Sequence, residues 1–107
     1  MTKYLVDIDG TICHTKESDY ANAVPHYDRI EQINALARQG HTIVYYTARG
    51  MSRKIDSDPF ESFHLQTLTV NQLKRWGCLF DDLVMWKPSA DIYIDDKAIN
   101  SKDFFND

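Results

Sequence analysis

Two shortages limit what this protein can be: few cysteines and no long hydrophobic run. Cys13 and Cys78 are too few for a disulfide framework and lack metal-ligand spacing with a histidine, so we expect free thiols in a reducing compartment. No stretch approaches the roughly 18 consecutive apolar residues that a membrane-spanning helix requires. The first residues also lack a signal-peptide pattern. These features predict a cytoplasmic protein with no membrane association.

The sequence also lacks excess positive charge, internal repeats and low-complexity segments. Acidic residues outnumber basic ones, 16 against 12, giving a formal net charge of −4. No basic field is therefore available to attract nucleic acid non-specifically. With 107 residues and an ordinary hydrophobic fraction of 43%, the chain is predicted to form a single domain over residues 1–107.

Strand-like and helix-like segments alternate along the chain. The predicted elements, in chain order, are a strand from residue 3 to near Gly10, a helix over 26–39, a strand over 42–46, a helix over 58–76, strands over 82–85 and 91–94, and a short helix or turn within 97–107. Such alternation implies βαβ units and a mostly parallel sheet. We therefore predict a small doubly wound, Rossmann-like α/β domain, with irregular loops over 12–25 and 51–57.

Two carboxylates, Asp7 and Asp9, stand where the first apolar strand ends, just before Gly10-Thr11. At about 4 Å and an effective dielectric constant of about 20, two such charges repel by about 4 kcal/mol. They can be solvated loop acids, or they can be held together by a cation.

The other predicted strands also end in polar groups. Thr47 follows the second strand, Lys87 the third, and Asp95-Asp96 the fourth. In a parallel sheet, ligands bind outside the carboxyl ends of the strands, so these groups should converge. Four carboxylates with few cations nearby favour a Mg²⁺ site, and oxygen ligands with Thr and Lys suit phosphoryl transfer.

Asp-Ile-Asp-Gly-Thr, Thr47, Lys87 and Asp95-Asp96, in that order, resemble the four motifs of the haloacid dehalogenase superfamily. The segments Tyr-Thr-Ala-Arg-Gly-Met and Lys-Pro-Ser-Ala-Asp-Ile-Tyr-Ile-Asp-Asp further resemble the small capless capsule or polysaccharide biosynthesis phosphatases of that superfamily. In a receiver domain, by contrast, no acid pair follows the Lys. The resemblance implies a Mg²⁺-dependent phosphatase of small phosphorylated metabolites, such as a sugar phosphate.

The resemblance also implies roles for individual residues. Asp7 would be the nucleophile, Asp9 the general acid and base, and Thr47 and Lys87 the groups that hold the phosphoryl oxygens. The implied metal ligands are Asp7, Asp9, Asp95 and Asp96, and Asp9 would bind Mg²⁺ through its backbone carbonyl.

Neither predicted loop is long enough to form a cap domain, so the site should be open or covered by a second subunit in a homo-oligomer. The residues predicted to contact substrate are Gly10, Thr11, Ala48, Arg49 and Arg53. Two alternatives stay open: a nucleotide or polynucleotide-end phosphatase, and a catalytically silent interaction module. The acidic charge balance weighs against nucleic acid, and the intact acids weigh against a silent module.

Overall fold

A parallel three-stranded sheet forms the centre of the protein. The computed structural model describes residues 1–51 and 59–106. In chain order its elements are β1 (Lys3–Asp7), β2 (Cys13–His14), β3 (Val24–Pro25), α1 (Tyr27–Arg38), β4 (Thr42–Tyr46), α2 (Pro59–Arg75), β5 (Asp82–Val84) and α3 (Ser101–Phe105). The central sheet has the order β1-β4-β5, and Asp7, Tyr46 and Val84 lie level at its carboxyl edge.

Amphipathic spacing explains the two longer helices. Ile30 and Ile33 of α1 are buried one turn apart, and Leu73 of α2 is fully buried with them in the core. Gly40 (φ 95°) and Gly77 (φ 77°) follow the two helices in the left-handed conformation that suits a helix C-terminus. Asp58, at which the predicted second helix begins, lies outside the described residues.

The sheet supplies the rest of the core. Ile43 and Tyr45 of β4 have no exposed surface, and Ile8 and Ile12 fix the turn that follows β1. Asp81 Oδ2 accepts a hydrogen bond from the Ile43 backbone N–H at 2.8 Å, which fastens β5 to β4. This packing holds the carboxyl ends of β1 and β4 at fixed positions.

The segment 12–25 is more ordered than the predicted irregular loop. β2 and β3 form a two-residue antiparallel ribbon, and a 3₁₀ turn spans Tyr20–Asn22. This ribbon is too small to be a cap domain. The predicted capless α/β fold with a parallel sheet is therefore confirmed for the described residues. None of the helices seen in 1–51 and 59–106 combines the length and apolar character needed to cross a bilayer.

The predicted fourth strand over 91–94 is wrong for this conformation. These residues form no ladder, and Ile92 and Ile94 are 77% and 97% exposed. The alternating β-branched pattern is strand-like, but a strand also needs a partner edge within reach. The short C-terminal helix was predicted correctly: Asn100 caps α3 by accepting a hydrogen bond from the Lys102 backbone N–H at 3.0 Å, and Phe105 is buried.

Candidate active site

Asp7 and Lys87 form the centre of the candidate site. Asp7 ends β1, and the Lys87 ammonium group lies 3.6 Å from its Oδ1. Lys87 follows β5 and is held there because its backbone N–H donates to the Thr47 carbonyl at 3.1 Å. The ammonium group lies 5.5 Å from the ring centroid of Tyr46 and 4.4 Å from that of Tyr93. The sequence prediction that these distant residues meet is therefore correct for Asp7 and Lys87.

Burial and charge act in opposite directions on Asp7. Partial burial raises the pKa of the Asp7 carboxyl group, and the charge of Lys87 and a hydrogen bond from the Ile8 backbone lower it, with a net increase over its ordinary value. The nearby charge of Asp9 adds to the increase. Asp7 is thus a carboxylate whose ionised form is only partly compensated, which suits a group that binds a further cation.

A tight turn after β1 positions the second acid. The backbone N–H groups of Thr11 and Ile12 both donate to the Ile8 carbonyl at 3.0 Å. Gly10 adopts φ 83° there, a conformation that side chains with a Cβ rarely adopt. Thr11 Oγ1 lies 3.5 Å from Asp7 Oδ2, so the turn also brings a hydroxyl group to the first acid.

Asp9 is held by Arg49 through two hydrogen bonds. Arg49 Nε donates to Asp9 Oδ2 and Nη2 donates to Oδ1, both at 2.9 Å. This bidentate pairing matches the fork of a guanidinium group to a carboxylate. The Arg49 side chain is fully buried, while that of Asp9 keeps 27% of its surface exposed.

The remaining contacts of the Arg49 side chain come from α2 and from the 3₁₀ turn between β2 and β3. Nη1 donates to Thr69 Oγ1 at 3.1 Å and to Gln72 Oε1 at 2.8 Å, and the guanidinium carbon lies 4.8 Å from the Tyr20 ring centroid. All three side-chain nitrogens of Arg49 therefore bind protein groups. Arg49 thus fixes the position of Asp9, and its predicted contact with substrate stays a prediction.

Arg49 decides the ionisation of Asp9. Burial by itself would raise the pKa of the Asp9 carboxyl group, but the hydrogen bonds and charge of Arg49 outweigh it and hold the pKa below its ordinary value. Thr15 Oγ1 and Cys13 Sγ also donate to Oδ1, at 2.5 Å and 3.6 Å. Burial raises the pKa of the Cys13 thiol to about 11, so Cys13 is a packed hydrogen-bond donor and not a nucleophile.

Thr47 lies beside the two acids at the end of β4. It is buried, its backbone N–H donates to the Val84 carbonyl at 2.9 Å, and its hydroxyl oxygen accepts from the Arg49 N–H at 3.1 Å. Because the hydroxyl oxygen is an acceptor in this contact, its proton can be donated to another group. Thr47 thus keeps a hydroxyl proton at the carboxyl edge of the sheet, and its predicted role toward a phosphoryl oxygen stays a prediction.

Asp95 and Asp96 are not brought to this site. Both are exposed, and Asp95 Oδ1 accepts from the Lys97 backbone N–H at 2.8 Å. Across the described ranges, 1–51 and 59–106, no three Asp, Glu, His or Cys side chains are grouped to hold a metal ion. Their assignment as metal ligands stays a prediction.

The other predicted substrate contacts divide into three groups. Gly10 and Thr11 lie in the turn beside Asp7. Ala48 follows Thr47, and its carbonyl accepts from the Met51 N–H at 2.9 Å in a turn. Arg53 lies outside the described residues.

A cavity of about 250 Å³ opens beside Arg49, and sequence reasoning did not find it. Apolar side chains contribute much of its lining, among them Leu65, Met85 and Trp86. Trp86, which lines this cavity, is 69% exposed. Thr69 and Gln72, the other side chains that bind the Arg49 guanidinium group, are polar residues at buried positions of α2. Polar residues on the core-facing side of a predicted helix were the sequence signal that could have identified these partners.

The donor set fits Mg²⁺ in part. Mg²⁺ prefers carboxylate and carbonyl oxygens, and it is often held by one or two carboxylates together with waters and phosphate. Asp7 is an incompletely compensated carboxylate, and the Asp9 carbonyl is the second oxygen donor that the resemblance implies. Arg49 occupies both carboxylate oxygens of Asp9, so the Asp9 side chain is a poor metal ligand in this conformation.

A solved structure identifies a relative of this chain. A structural-genomics target from Vibrio cholerae is 32% identical in sequence over 98% of this chain and 88% of its own, with a TM-score of 0.86. The chain belongs to the same family as that protein. No protein-family model and no curated protein matches the sequence.

A second structure places the family among known folds. The D,D-heptose 1.7-bisphosphate phosphatase from B. bronchiseptica, complexed with magnesium and phosphate, matches 85% of this chain and 52% of its own at a TM-score of 0.56 and 18% identity. At that identity the likeness concerns the fold alone. This family therefore has the haloacid dehalogenase-like fold that the motifs predicted.

Proposed function

We propose that this protein is a Mg²⁺-dependent phosphatase that hydrolyses a small phosphorylated metabolite through an aspartyl-phosphate on Asp7. The observation that carries the proposal is the Asp7–Lys87 pair at the sheet's carboxyl edge, with Thr47 at the adjacent strand end. A carboxylate nucleophile splits one difficult displacement into two easier ones.

In the first half-reaction, an Asp7 oxygen bonds to phosphorus as the bond from phosphorus to the leaving oxygen breaks. Lys87 and the Thr47 hydroxyl donate to the phosphoryl oxygens, and the leaving oxygen takes a proton from the protonated Asp9 carboxyl group, which becomes a carboxylate. Bound Mg²⁺, held by Asp7 and the Asp9 carbonyl, would supply positive charge to the transferring group. Such fixed charges stabilise the transition state more than the ground state.

In the second half-reaction, water attacks phosphorus, Asp9 takes the water proton and the Asp7–phosphorus bond breaks. Arg49 orients Asp9 for this step through two hydrogen bonds, and it lowers the pKa of the Asp9 carboxyl group. The same pairing opposes the first step, in which Asp9 would be the proton donor. Turnover of a substrate with a poor leaving group should therefore require Asp9 to take up a proton.

A sugar phosphate is the substrate class that we favour. The sequence resemblance points to surface-polysaccharide synthesis, and the B. bronchiseptica fold relative acts on a heptose bisphosphate. A nucleotide is the second candidate, because the exposed indole of Trp86 lines the cavity beside Arg49 and could stack on a base.

The test is release of inorganic phosphate from a panel of sugar phosphates, nucleotides and phosphorylated acids, with Mg²⁺ present. We expect activity in the wild type and in Asp28→Asn, an exposed acid of α1, and no activity in Asp7→Asn. Trp86→Ala separates the two classes, since it should weaken turnover of nucleotides and leave that of sugar phosphates unchanged. Equal activity of Asp7→Asn and wild type would refute the proposal.

A further inference from the structure

Cationic side chains from three parts of the chain bind the segment from residue 7 to residue 11. Lys87 and Arg49 contact the carboxylates of the two acids, and both contacts belong to the candidate active site. Arg29 is the third, and its Nη1 donates a hydrogen bond to the Thr11 backbone carbonyl at 2.9 Å. Because Arg29 binds backbone, its contact acts on the shape of the turn and not on the charge of an acid.

The residue that Arg29 binds also faces the nucleophile. Thr11 Oγ1 lies 3.5 Å from Asp7 Oδ2, and Lys87 Nζ lies 3.6 Å from Asp7 Oδ1, so the two groups contact different oxygens of one carboxylate. The Thr11 backbone N–H donates to the Ile8 carbonyl inside the turn at 3.0 Å. Arg29 holds the Thr11 carbonyl from outside the turn. The position of the Thr11 hydroxyl group therefore depends on both bonds.

A glycine makes this turn depend on outside contacts. Gly10 precedes Thr11 with φ 83°, and glycine restricts its own backbone less than any residue that has a Cβ. A charged donor forms a stronger hydrogen bond with a carbonyl than a neutral donor does. Arg29 is therefore well suited to restrict the conformations that Gly10 would otherwise allow.

Arg29 is itself fixed at both ends of its side chain. Its backbone lies in the first turn of α1, and the start of that helix is joined to the same turn because the His26 N–H donates to the Ile12 carbonyl at 2.8 Å. At the other end, the guanidinium carbon lies 4.8 Å from the Phe105 ring centroid. A cation over an aromatic face is attracted by the charge distribution of the ring. Arg29 thus connects the active-site turn to α3.

The packing of α3 gives Phe105 a fixed position. Phe105 is buried in the core, and its ring centroid lies 5.1 Å from that of Phe104, with the two rings perpendicular. The Phe104 ring lies 6.2 Å from that of Tyr4 on β1. The helix α3 is therefore packed against the strand that ends in Asp7 and against the arginine that holds the turn after that strand.

We propose that Arg29 is a positioning residue of the candidate active site, one that keeps the Thr11 hydroxyl beside Asp7 by holding the turn after β1. The helix α3 holds Arg29 in place through Phe105. Attack requires an Asp7 oxygen aligned with phosphorus, and a displacement of about 1 Å can lower a rate about 100-fold. Without Arg29 the turn can move and the Asp7 carboxylate can rotate. The catalytic part of this inference rests on the proposed phosphatase function, whereas the restraint of the turn does not.

The restraint of the turn is measured without an activity assay, by amide hydrogen exchange followed by NMR. In Arg29→Met, exchange at the Thr11 and Ile12 amide groups should be accelerated at least about tenfold more than exchange in the central strand β4. Arg38→Met is the matched control, an exposed arginine of the same helix, and it should accelerate neither set. Wild-type exchange of the turn amides in Arg29→Met, or an equal acceleration of β4, would overturn the proposal.

Two further variants separate the hydrogen bond from the packing. Arg29→Lys keeps a charged donor, so the turn amides should exchange within about threefold of the wild-type rate. Phe105→Leu keeps an apolar side chain in the core and removes the ring beside Arg29, so its turn amides should exchange faster than those of wild type, and it decides the matter if Arg29→Met fails to fold. Exchange in Arg29→Lys as fast as in Arg29→Met would overturn the role of the hydrogen bond. Wild-type exchange of the turn in Phe105→Leu would overturn the role of α3.

Steady-state kinetics with a substrate found in the panel test the catalytic part. Arg29→Met should lower kcat at least about tenfold and leave KM within about twofold of wild type, because the misaligned group is the nucleophile. The groups proposed to bind the phosphoryl oxygens, Lys87 and Thr47, are retained in this variant. Arg29→Lys should keep kcat within about threefold of wild type. A wild-type kcat in Arg29→Met would overturn the catalytic part.

Trimethylamine N-oxide separates misalignment from partial unfolding. This osmolyte favours compact folded states, so it would restore activity that was lost through unfolding. We expect kcat of Arg29→Met to stay low in its presence, and recovery to the wild-type value would overturn the positioning role. If wild type releases no phosphate from any substrate, the proposed function fails while the exchange rates still decide the restraint of the turn.

Discussion

Replacing Arg49 with Met should destabilise the protein in a pH-dependent manner. Removal of one partner of a buried ion pair costs about 3–5 kcal/mol. The remaining Asp9 side chain is 27% exposed, so water would offset part of this cost. Thr69 and Gln72 would also lose their hydrogen bond from the guanidinium group. We expect the free energy of unfolding at pH 7 to fall by about 3 kcal/mol, a large share of the stability of a small domain.

The sign of the pH dependence follows from Asp9. In wild type its pKa is lowered in the folded state, so the pair stabilises the fold above the ordinary pKa of 3.8 and loses this effect as the pH falls. Without Arg49, only the hydrogen bonds from Thr15 and Cys13 oppose the effect of burial, so the folded-state pKa of Asp9 should rise from its lowered value. The stability difference between wild type and Arg49→Met should therefore shrink as the pH falls from 7 toward 3.

Urea denaturation followed by far-UV circular dichroism at pH 7 and at pH 3 measures this difference. Arg38→Met is the matched control, because Arg38 pairs with Glu31 on the exposed surface of α1. Exposed ion pairs contribute about 0–1 kcal/mol, so the control should change little at either pH. A loss in Arg49→Met that is equal at the two pH values, or no larger than that of the control, would refute the role of Arg49.

Three further predictions concern the two acids and the metal. Burial raises the pKa of Asp7, so ionisation of this group opposes folding at pH 7. Asp7→Asn should therefore unfold at a higher urea concentration than wild type at pH 7 and at the same concentration at pH 3. Equal urea midpoints at pH 7 would contradict this. EDTA should abolish phosphate release and added Mg²⁺ should restore it, and activity that survives exhaustive chelation would exclude the metal. With a phosphate ester whose leaving group needs no proton from Asp9, Asp9→Asn should accumulate phosphorylated chain in rapid-quench mass spectrometry, because water is no longer deprotonated; an unphosphorylated, fully active variant would exclude Asp9 as the base.

The sequence correctly predicted those strands and helices that depend on residues close to one another in the chain. The β-branched and aromatic run over 42–46 forms β4 with the predicted bounds, and α1 differs from its predicted bounds by one residue at each end. Gly40 and Gly77 end helices because they can adopt positive φ. The meeting of Asp7 and Lys87 followed from the rule that parallel strands end at one edge.

Partners distant in sequence were harder to predict. Nothing local indicates that Arg49 binds Asp9 forty residues away, since an Arg after a strand end suits many partners. The fourth strand was mispredicted because β-propensity indicates that a segment can form a strand but not whether a sheet edge lies within its reach. The short connection after Lys87, visible in the sequence, was the signal that could have corrected it.

The central claim is that Asp7 takes the phosphoryl group, and the most direct measurement is chemical identification of the phosphorylated residue. Asp9→Asn is mixed with a phosphate ester that has a good leaving group and so needs no proton from Asp9, then quenched and treated with borohydride, which reduces an acyl phosphate to an alcohol. Peptide mass spectrometry should then find homoserine at position 7 and unmodified aspartate at the exposed control position 28. Phosphate release by wild type with no modification at position 7, or with modification at another residue, would contradict the account.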